Sequence, residues 1–230
     1  MKFVFHFLCY ICLFSSVIFS QAVTVEIEEL PTAPIIESPK PIIPVVLMVD
    51  DFEDANITEF REWWTFDKVM IQTKNVESKK PFLGKVSLSV NGSSNNWYAG
   101  GFGVYLNQDA HYFNTLKLVI FSPKINSGSI RIELYDDDNN NKIVDIDTDK
   151  QIPSKDDLFI YDLNLVWEGW KVVSIPLTDF VDFNLDVGDN IWNPNQLYGS
   201  AGLIQMQLVV LSSKHKSELI EFEIDTIKFN

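Results

Sequence analysis

The feature that most limits the fold of this chain is a series of short segments in which apolar and polar residues alternate. These segments are rich in β-branched and aromatic side chains and cover residues 85–90, 101–106, 115–121, 129–135, 142–147, 170–177, 203–211 and 219–229. A period of two residues gives a strand one buried and one solvated face. Asn, Gly, Asp and Ser separate the segments, as in turns. The pattern predicts an all-β domain, an antiparallel β-sandwich or jelly roll, with helix only over a turn or two at 57–64.

The N-terminus has the form of a secretory signal. Lys2 is followed by a long apolar run and then by the small residues Ser20 and Ala22, which predicts cleavage after Ala22 and a secreted, periplasmic or cell-surface protein. A retained membrane anchor is the alternative. Both cysteines, Cys9 and Cys12, lie in this segment, so disulfides and cysteine chemistry are excluded from the mature chain.

The mature chain divides into a tether and a domain. Residues 23–46 contain five of the ten prolines and no glycine, which favours an extended spacer without a core of its own. The β-domain is therefore predicted to cover residues 47–230.

The charge of the chain limits its partners. The formal net charge is -14, and removing residues 1–22, which contain one Lys and no acid, makes it -15. Such a chain repels phosphate backbones and anionic lipids, which argues against nucleic acid and against a lipid surface as partners. Neutral ligands and cations remain.

Residues 135–147, "YDDDNNNKIVDID", admit two interpretations. Asp136, Asp138, Asn140 and Asp147 fall at ligand positions of a helix–loop–helix calcium loop. The segment before them alternates like a strand, however, and Asp and Asn favour turns, so the stretch from Asp136 to Asp147 is either a calcium loop or only a hairpin turn.

The order of several landmarks resembles a known family. "LMVDDFED" (47–54), "GKVSLSVNGSSNNWYAGGFGVYL" (84–106), "WEGWKVVSIPLTDF" (167–180) and "FEIDTIKF" (222–229) together resemble the β-jelly-roll carbohydrate-binding modules of the galactose-binding-like superfold. The match is to family 11 modules, with CIA30-type domains as a broader match. The resemblance implies a galactose-binding-like domain that binds a polysaccharide or glycoconjugate.

The same resemblance implies a structural metal ion. In such folds the first and last strands lie side by side, so that acids from both can converge on a hard cation. Asp51, Glu53 and Asp225 are accordingly the candidate ligands of a calcium ion. The alternative is that these acids cap strand ends and pair with lysines.

Candidate ligand-binding residues are aromatic and polar, because a sugar ring offers an apolar face and a polar rim. Trp97 and Tyr98 lie in an Asn- and Gly-rich loop, and Trp192 and Tyr198 lie in a second polar loop. We expect one tryptophan of the adjacent pair 63 and 64 to point inward, and the one at 170 to pack in the core.

The resemblance adds three candidates to this set. They are Phe66, Asp182 and Gln207. Phe66, like Trp97, matches an aromatic position of family 11, Asp182 matches a polar loop, and Gln207 stands, with Gln205, on the strand where the family has tyrosines.

No nucleophile elbow, phosphate loop or His-based metal motif occurs, so the sequence favours a non-catalytic, exported carbohydrate-binding β-sandwich. One alternative is a structural protein of the cell envelope or of a surface or periplasmic filament, which would pack against envelope proteins. The loss of the late-strand aromatics favours it. The other is a glycosidase that uses a carboxylate pair, which only the abundance of acids favours.

Overall fold

The computed structural model describes residues 46–76, 84–197, 199–212 and 217–230. The predicted leader, all of the predicted tether except Val46, and the ligand candidate Tyr198 lie outside the described residues. The predicted domain boundaries therefore stay predictions. Among the described residues, no helix is long and apolar enough to cross a membrane.

The described chain consists almost entirely of strands and turns. The strands are β1 Leu47–Asp50, β2 Trp63–Asp67, β3 Val69–Asn75, β4 Val86–Ser94, β5 Tyr98–Gln108, β6 Thr115–Ser122, β7 Ser129–Asp137, β8 Ile146–Asp147, β9 Ile152–Pro153, β10 Asp157–Asn164, β11 Gly169–Pro176, β12 Val181–Asp182, β13 Gly202–Leu211 and β14 Glu218–Phe229. A single 3-10 turn, Leu177–Asp179, follows β11.

The strands form two six-stranded sheets. Sheet A has the order β11-β6-β14-β4-β3, with β1 also paired to β14, and sheet B has the order β12-β10-β7-β13-β5-β2. Strands β8 and β9 form a small separate ribbon. Every pairing is antiparallel, which confirms the predicted antiparallel β-sandwich. The first and last strands lie side by side, with Leu47 opposite Phe229.

The core lies between the sheets and follows the alternation in the sequence. On sheet A, Leu116, Leu118 and Ile120 of β6 are fully buried, and on sheet B, Ile130 and Ile132 of β7 are fully buried too. Burial of each such side chain contributes about 1.5–3 kcal/mol. The alternate residues of sheet B point to its outer face, where the candidate site lies.

The prediction of a helix at 57–64 is wrong. Residues 57–61 form turns, and strand β2 begins at Trp63. Trp63 points into the core and its indole N–H donates a 2.7 Å hydrogen bond to the buried Asp50 carboxylate, whereas Trp64 is half-buried on the opposite face. A period of two therefore applies here, as expected for the tryptophan pair.

Two further expectations need correction. Of the segment predicted as a strand at 142–147, only Ile146–Asp147 is a strand. The residues before it are held in a turn by the Asp137 carboxylate, which accepts the amides of Asn139, Asn140 and Lys142. Trp170 is not a core residue. It is half-exposed on the outer face of sheet A and packs against Phe121 at a ring-centroid distance of 5.4 Å.

The two adjacent tryptophans provide a matched test of this register. Trp63→Phe should lower the free energy of unfolding by about 2–3 kcal/mol, because it leaves the buried Asp50 oxygen without its donor and removes core volume. Trp64→Phe should change it by less than about 0.5 kcal/mol. Urea unfolding of both variants measures the difference. Equal losses would contradict the inward position of Trp63.

Candidate binding groove

A row of aromatic side chains runs along the outer face of sheet B. Tyr105, Trp64, Phe66, Tyr98 and Trp97 follow one another with ring-centroid distances of 6.1, 5.9, 6.4 and 5.2 Å. The two terminal rings are the most exposed, at 58% for Tyr105 and 48% for Trp97. We call these five side chains the aromatic row.

Two glycines of the neighbouring strand β5 leave space for the two rings that the row receives from β2. Trp64 lies opposite Gly103 and Phe66 opposite Gly101 in the pairing of β2 with β5. A Cβ atom at Gly103 would lie 2.5 Å from Trp64 Cζ2, and one at Gly101 would lie 2.5 Å from Phe66 Cζ. Both rings therefore lie directly against the β5 backbone, in space that any other residue would fill.

Polar side chains from β7 and β13 line the groove beside the row. Glu133 Oε2 accepts hydrogen bonds from the Tyr135 hydroxyl and from Gln207 Nε2, both at 2.8 Å. Gln205 Nε2 in turn donates to Gln207 Oε1 at 3.4 Å. These four side chains form one connected polar floor, because the pairing of β7 with β13 puts Gln207 opposite Glu133 and Gln205 opposite Tyr135.

Burial governs the electrostatics of this floor. It raises the pKa of Glu133, although hydrogen bonds from Tyr135 and Gln207 and the charge of Arg131 oppose the shift. Tyr98, in the aromatic row, donates a hydrogen bond to the Asp67 carboxylate, and burial together with that bond raises its pKa as well. The Trp64 indole N–H is buried and has no partner among the described residues.

The row and the floor belong to one continuous groove. Two adjoining cavities of about 560 and 450 Å³ lie along it and share Tyr135, Gln151 and Gln207 as lining residues. The wall opposite the aromatic row comes largely from the connection between β7 and β10, which contributes Ile143, Val144 and other residues. We call residues 138–157 the wall segment.

Four predicted site residues come together in this groove: Phe66, Trp97, Tyr98 and Gln207. Sequence reasoning missed Trp64, Tyr105, Glu133 and Tyr135 as members of the site. The signal for them is alternation: Tyr105 and Glu133 each stand between two buried apolar residues, and Trp64 and Tyr135 each follow one.

The other two described candidates, Trp192 and Asp182, do not line the groove. Trp192 packs edge-on against the core residue Phe159, with centroids 5.3 Å apart at 87°, because its loop folds back onto the end of the sandwich. Asp182 accepts a 3.0 Å hydrogen bond from the amide of Asn184, while its neighbour Phe183 faces the groove.

The three acids predicted to hold calcium do not form a three-carboxylate cluster. Both Glu53 oxygens accept hydrogen bonds from the amide of Lys85, at 2.9 and 2.8 Å, and the Asp51 carboxylate accepts one from the amide of Glu53. Asp225 is fully buried, and its side chain accepts a hydrogen bond from the Thr226 hydroxyl. Calcium binding by Asp51, Glu53 and Asp225 stays a prediction.

Another group of acids has the spacing of metal ligands. Within the described ranges, the one group of three carboxylates whose ligand atoms all lie within 4.8 Å of one another is Asp138, Asp157 and Asp189.

Several solved structures are similar to this chain, whereas no family model and no curated protein matches it. A family 11 carbohydrate-binding module from Clostridium thermocellum, solved with a β-1,3-1,4-mixed-linked tetrasaccharide, is 16% identical over 80% of this chain and 94% of its own, with a TM-score of 0.47. A family 11 module of a cellulosomal cellulase from Clostridium thermocellum is 17% identical over 80% and 93%, with a TM-score of 0.47.

An exo-β-agarase is 12% identical over 80% of this chain and 24% of its own, with a TM-score of 0.47. The similar solved structures thus include modules of family 11, the family that the sequence resembles. The ligand of this chain has to be inferred from its own residues.

The glycine seat under Trp64 can be tested by a double-mutant cycle. Gly103→Ala should destabilise the protein by about 1–3 kcal/mol, because the new methyl group displaces the indole. In a Trp64→Ala background the same substitution should lower the free energy of unfolding by a markedly smaller amount. Urea unfolding of the four proteins should then give a coupling energy of at least about 0.5 kcal/mol. Additive effects would show that the ring does not rest on the glycine.

Proposed function

We propose that this protein is an exported, non-catalytic module that binds a neutral polysaccharide or glycoconjugate in the groove of sheet B. The observation that carries the proposal is the combination of the continuous aromatic row with the polar floor beside it. The apolar face of a pyranose packs against an aromatic ring, and its hydroxyl groups need donors and acceptors at the ring edge. The groove offers both along its length.

The polar groups of the groove suit hydroxyl groups. The carboxylates of Glu133 and Asp67 accept hydrogen bonds, and the amides of Gln205 and Gln207 donate and accept them. Such a set can bond a sugar hydroxyl in either direction.

Charge favours a neutral ligand over an anionic one. Arg131, which lines the groove, is held by Asp162 through two hydrogen bonds of 2.8 and 3.0 Å, so its charge is already compensated. The net charge of the chain, -14, also repels acidic polysaccharides.

Binding without cleavage is supported by the state of the two carboxylates. Asp67 and Glu133 each accept a hydrogen bond from a tyrosine hydroxyl, Tyr98 and Tyr135 respectively. A glycosidase needs two carboxyl groups facing the scissile bond, one of which donates a proton. In this groove both carboxylates are already engaged as acceptors, which suits recognition of a ligand.

Export is part of the proposal and is supported by the sequence of residues 1–22, with cleavage after Ala22. The polysaccharide would then be met outside the cytoplasm, in the periplasm, at the cell surface or in the medium.

Affinity electrophoresis tests the proposal. Residues 23–230 are run in native gels cast with β-glucan, xylan, mannan or no polysaccharide, with calcium present. We expect one glycan to retard the protein. Trp97→Ala and Trp64→Ala should each weaken binding about tenfold or more, because an aromatic ring covered by the bound ligand contributes about 1.4 kcal/mol or more to the binding free energy. Trp170→Ala is the matched control, because Trp170 is half-exposed on the opposite sheet.

Two results would contradict the proposal. If none of the glycans retards the folded protein, binding of these neutral polysaccharides fails, and the envelope or filament protein becomes the better hypothesis. Release of reducing sugar from a retarding glycan, abolished by Glu133→Gln, would replace the binding module by the glycosidase.

A further inference from the structure

A cluster of four aspartates lies at one end of sheet B, away from the acids that the sequence suggested for calcium. Asp136 is the next-to-last residue of β7, Asp138 is the first residue after that strand, Asp157 begins β10, and Asp189 comes from the loop between β12 and β13. Carboxylate oxygens of Asp138, Asp157 and Asp189 lie within 4.8 Å of one another. Three separate segments of the chain thus bring their acids to one place.

Two of these carboxylates are completely buried and only half satisfied. Asp136 Oδ2 accepts the amide of Asn193 at 2.8 Å, and Asp157 Oδ2 accepts the amide of Ile191 at 3.2 Å. The Oδ1 atoms of Asp136 and Asp157 are buried without a partner among the described residues, and both side chains are 0% exposed. A buried acceptor without a partner costs about 1–3 kcal/mol, so each points to a ligand that the protein chain does not supply.

Gly188 shows where the oxygens converge. Its φ of 68° is in the left-handed region, and a Cβ atom there would collide with Asp157 Oδ1 and Asp138 Oδ2. The unpartnered oxygen of Asp157 is therefore aimed at the same small space as the oxygen of Asp138. Only glycine keeps that space open.

No protein cation balances these charges within the described part of the chain. The ion pairs found there join lysines to Asp145, Asp147 and Glu223, Arg131 to Asp162, and His111 to Asp109.

We propose that this cluster is a binding site for a divalent cation of the calcium class, with Asp138, Asp157 and Asp189 as ligands and Asp136 beside them. Hard cations take oxygen ligands, and calcium accepts six to eight of them at about 2.3–2.6 Å, from carboxylates, backbone carbonyls and water. The cluster contains oxygen donors only. A cation would give the buried Oδ1 of Asp157 a partner and reduce the repulsion among the aspartates.

The position of the cluster connects the cation to the groove. Asp138 and Asp157 are the two ends of the wall segment, and Asp138 Oδ2 already accepts the amide of Asp157 at 3.0 Å. Val144 of the wall segment packs on Tyr135 and Leu158 at the outer face of sheet B. A cation would clamp the base of the wall that faces the aromatic row. We therefore expect ligand binding in the groove to depend on the cation, an extension that rests on the proposed function.

This site differs from the calcium loop considered for Asp136 to Asp147. The loop is flanked by strands, and Asp147 accepts the amides of Asp149 and Lys150 in its own turn. Only Asp136 and Asp138 of that template belong to the cluster.

Calcium titration by calorimetry and thermal melting of calcium-stripped residues 23–230 test the site directly. Calcium at about one hundred times its Kd should raise the Tm by about 5–10 °C. Asp157→Asn and Asp189→Asn should each lower the number of calcium ions bound by one and remove the part of the shift that this site contributes. Asp147→Asn, the matched control from the same segment, should keep both. Because Asp189 is exposed, its variant should fold like the wild type without calcium, which separates lost binding from lost folding.

Absence of a calcium shift in the wild type, or an equal shift in Asp189→Asn and Asp147→Asn, would overturn the site.

The link to the groove is tested in the same gels, with calcium or with chelator. Retardation by glycan should be lost in chelator and in Asp189→Asn. Unchanged retardation would overturn the link. Calcium binding without any glycan retardation would uphold the site while the proposed function fails.

Discussion

The alternation of inward and outward side chains over residues 205–210 of strand β13 is the constraint on which both the core and the groove depend. Met206, Leu208 and Val210 are fully buried between the sheets, while Gln205 and Gln207 lie on the opposite face. Because β13 pairs with β5 on one side and β7 on the other, its register fixes which residues of both neighbours face outward. A slip of one residue would move the glutamines into the core, so the energy of the core also holds the groove in place.

The fold could be predicted where this alternation is clean and not where it is hidden. The alternation pattern does not indicate strand β10, because its residues 158–161, Leu-Phe-Ile-Tyr, are apolar on both faces. The reason is physical: the wall segment covers the outer face of β10, and Val144 packs there beside Leu158 and Ile160. A strand buried on both faces loses the period of two that identifies it.

Part of the groove could be predicted from the sequence, and the lining residues that could not be predicted show why. Trp97 and Tyr98 were found from the loop around them, but Tyr105 lies inside a strand, in "GFGVY", where Gly101 and Gly103 take the outward positions. Glycine inside a strand signals the close approach of another group. That group is the pair of rings from β2, which sequence alone could not place because the pairing partner of β5 is set by the whole sheet. The sequence also does not show that Asp157 and Asp189 lie near Asp138, because no local spacing relates the three residues.

The two sides of the groove are held by different forces, and this difference decides how the site can respond to conditions. The aromatic row stands on strands β2 and β5, whose ladder is anchored by buried residues such as Phe102 and Val104. The wall segment is a connection of about twenty residues that returns to its starting point at the aspartate cluster. Long connections lose more conformational entropy when ordered than short ones, and like charges at the base of this one oppose its closure. Whatever balances the charge of those aspartates therefore sets how firmly the wall faces the row, while the row itself stays fixed.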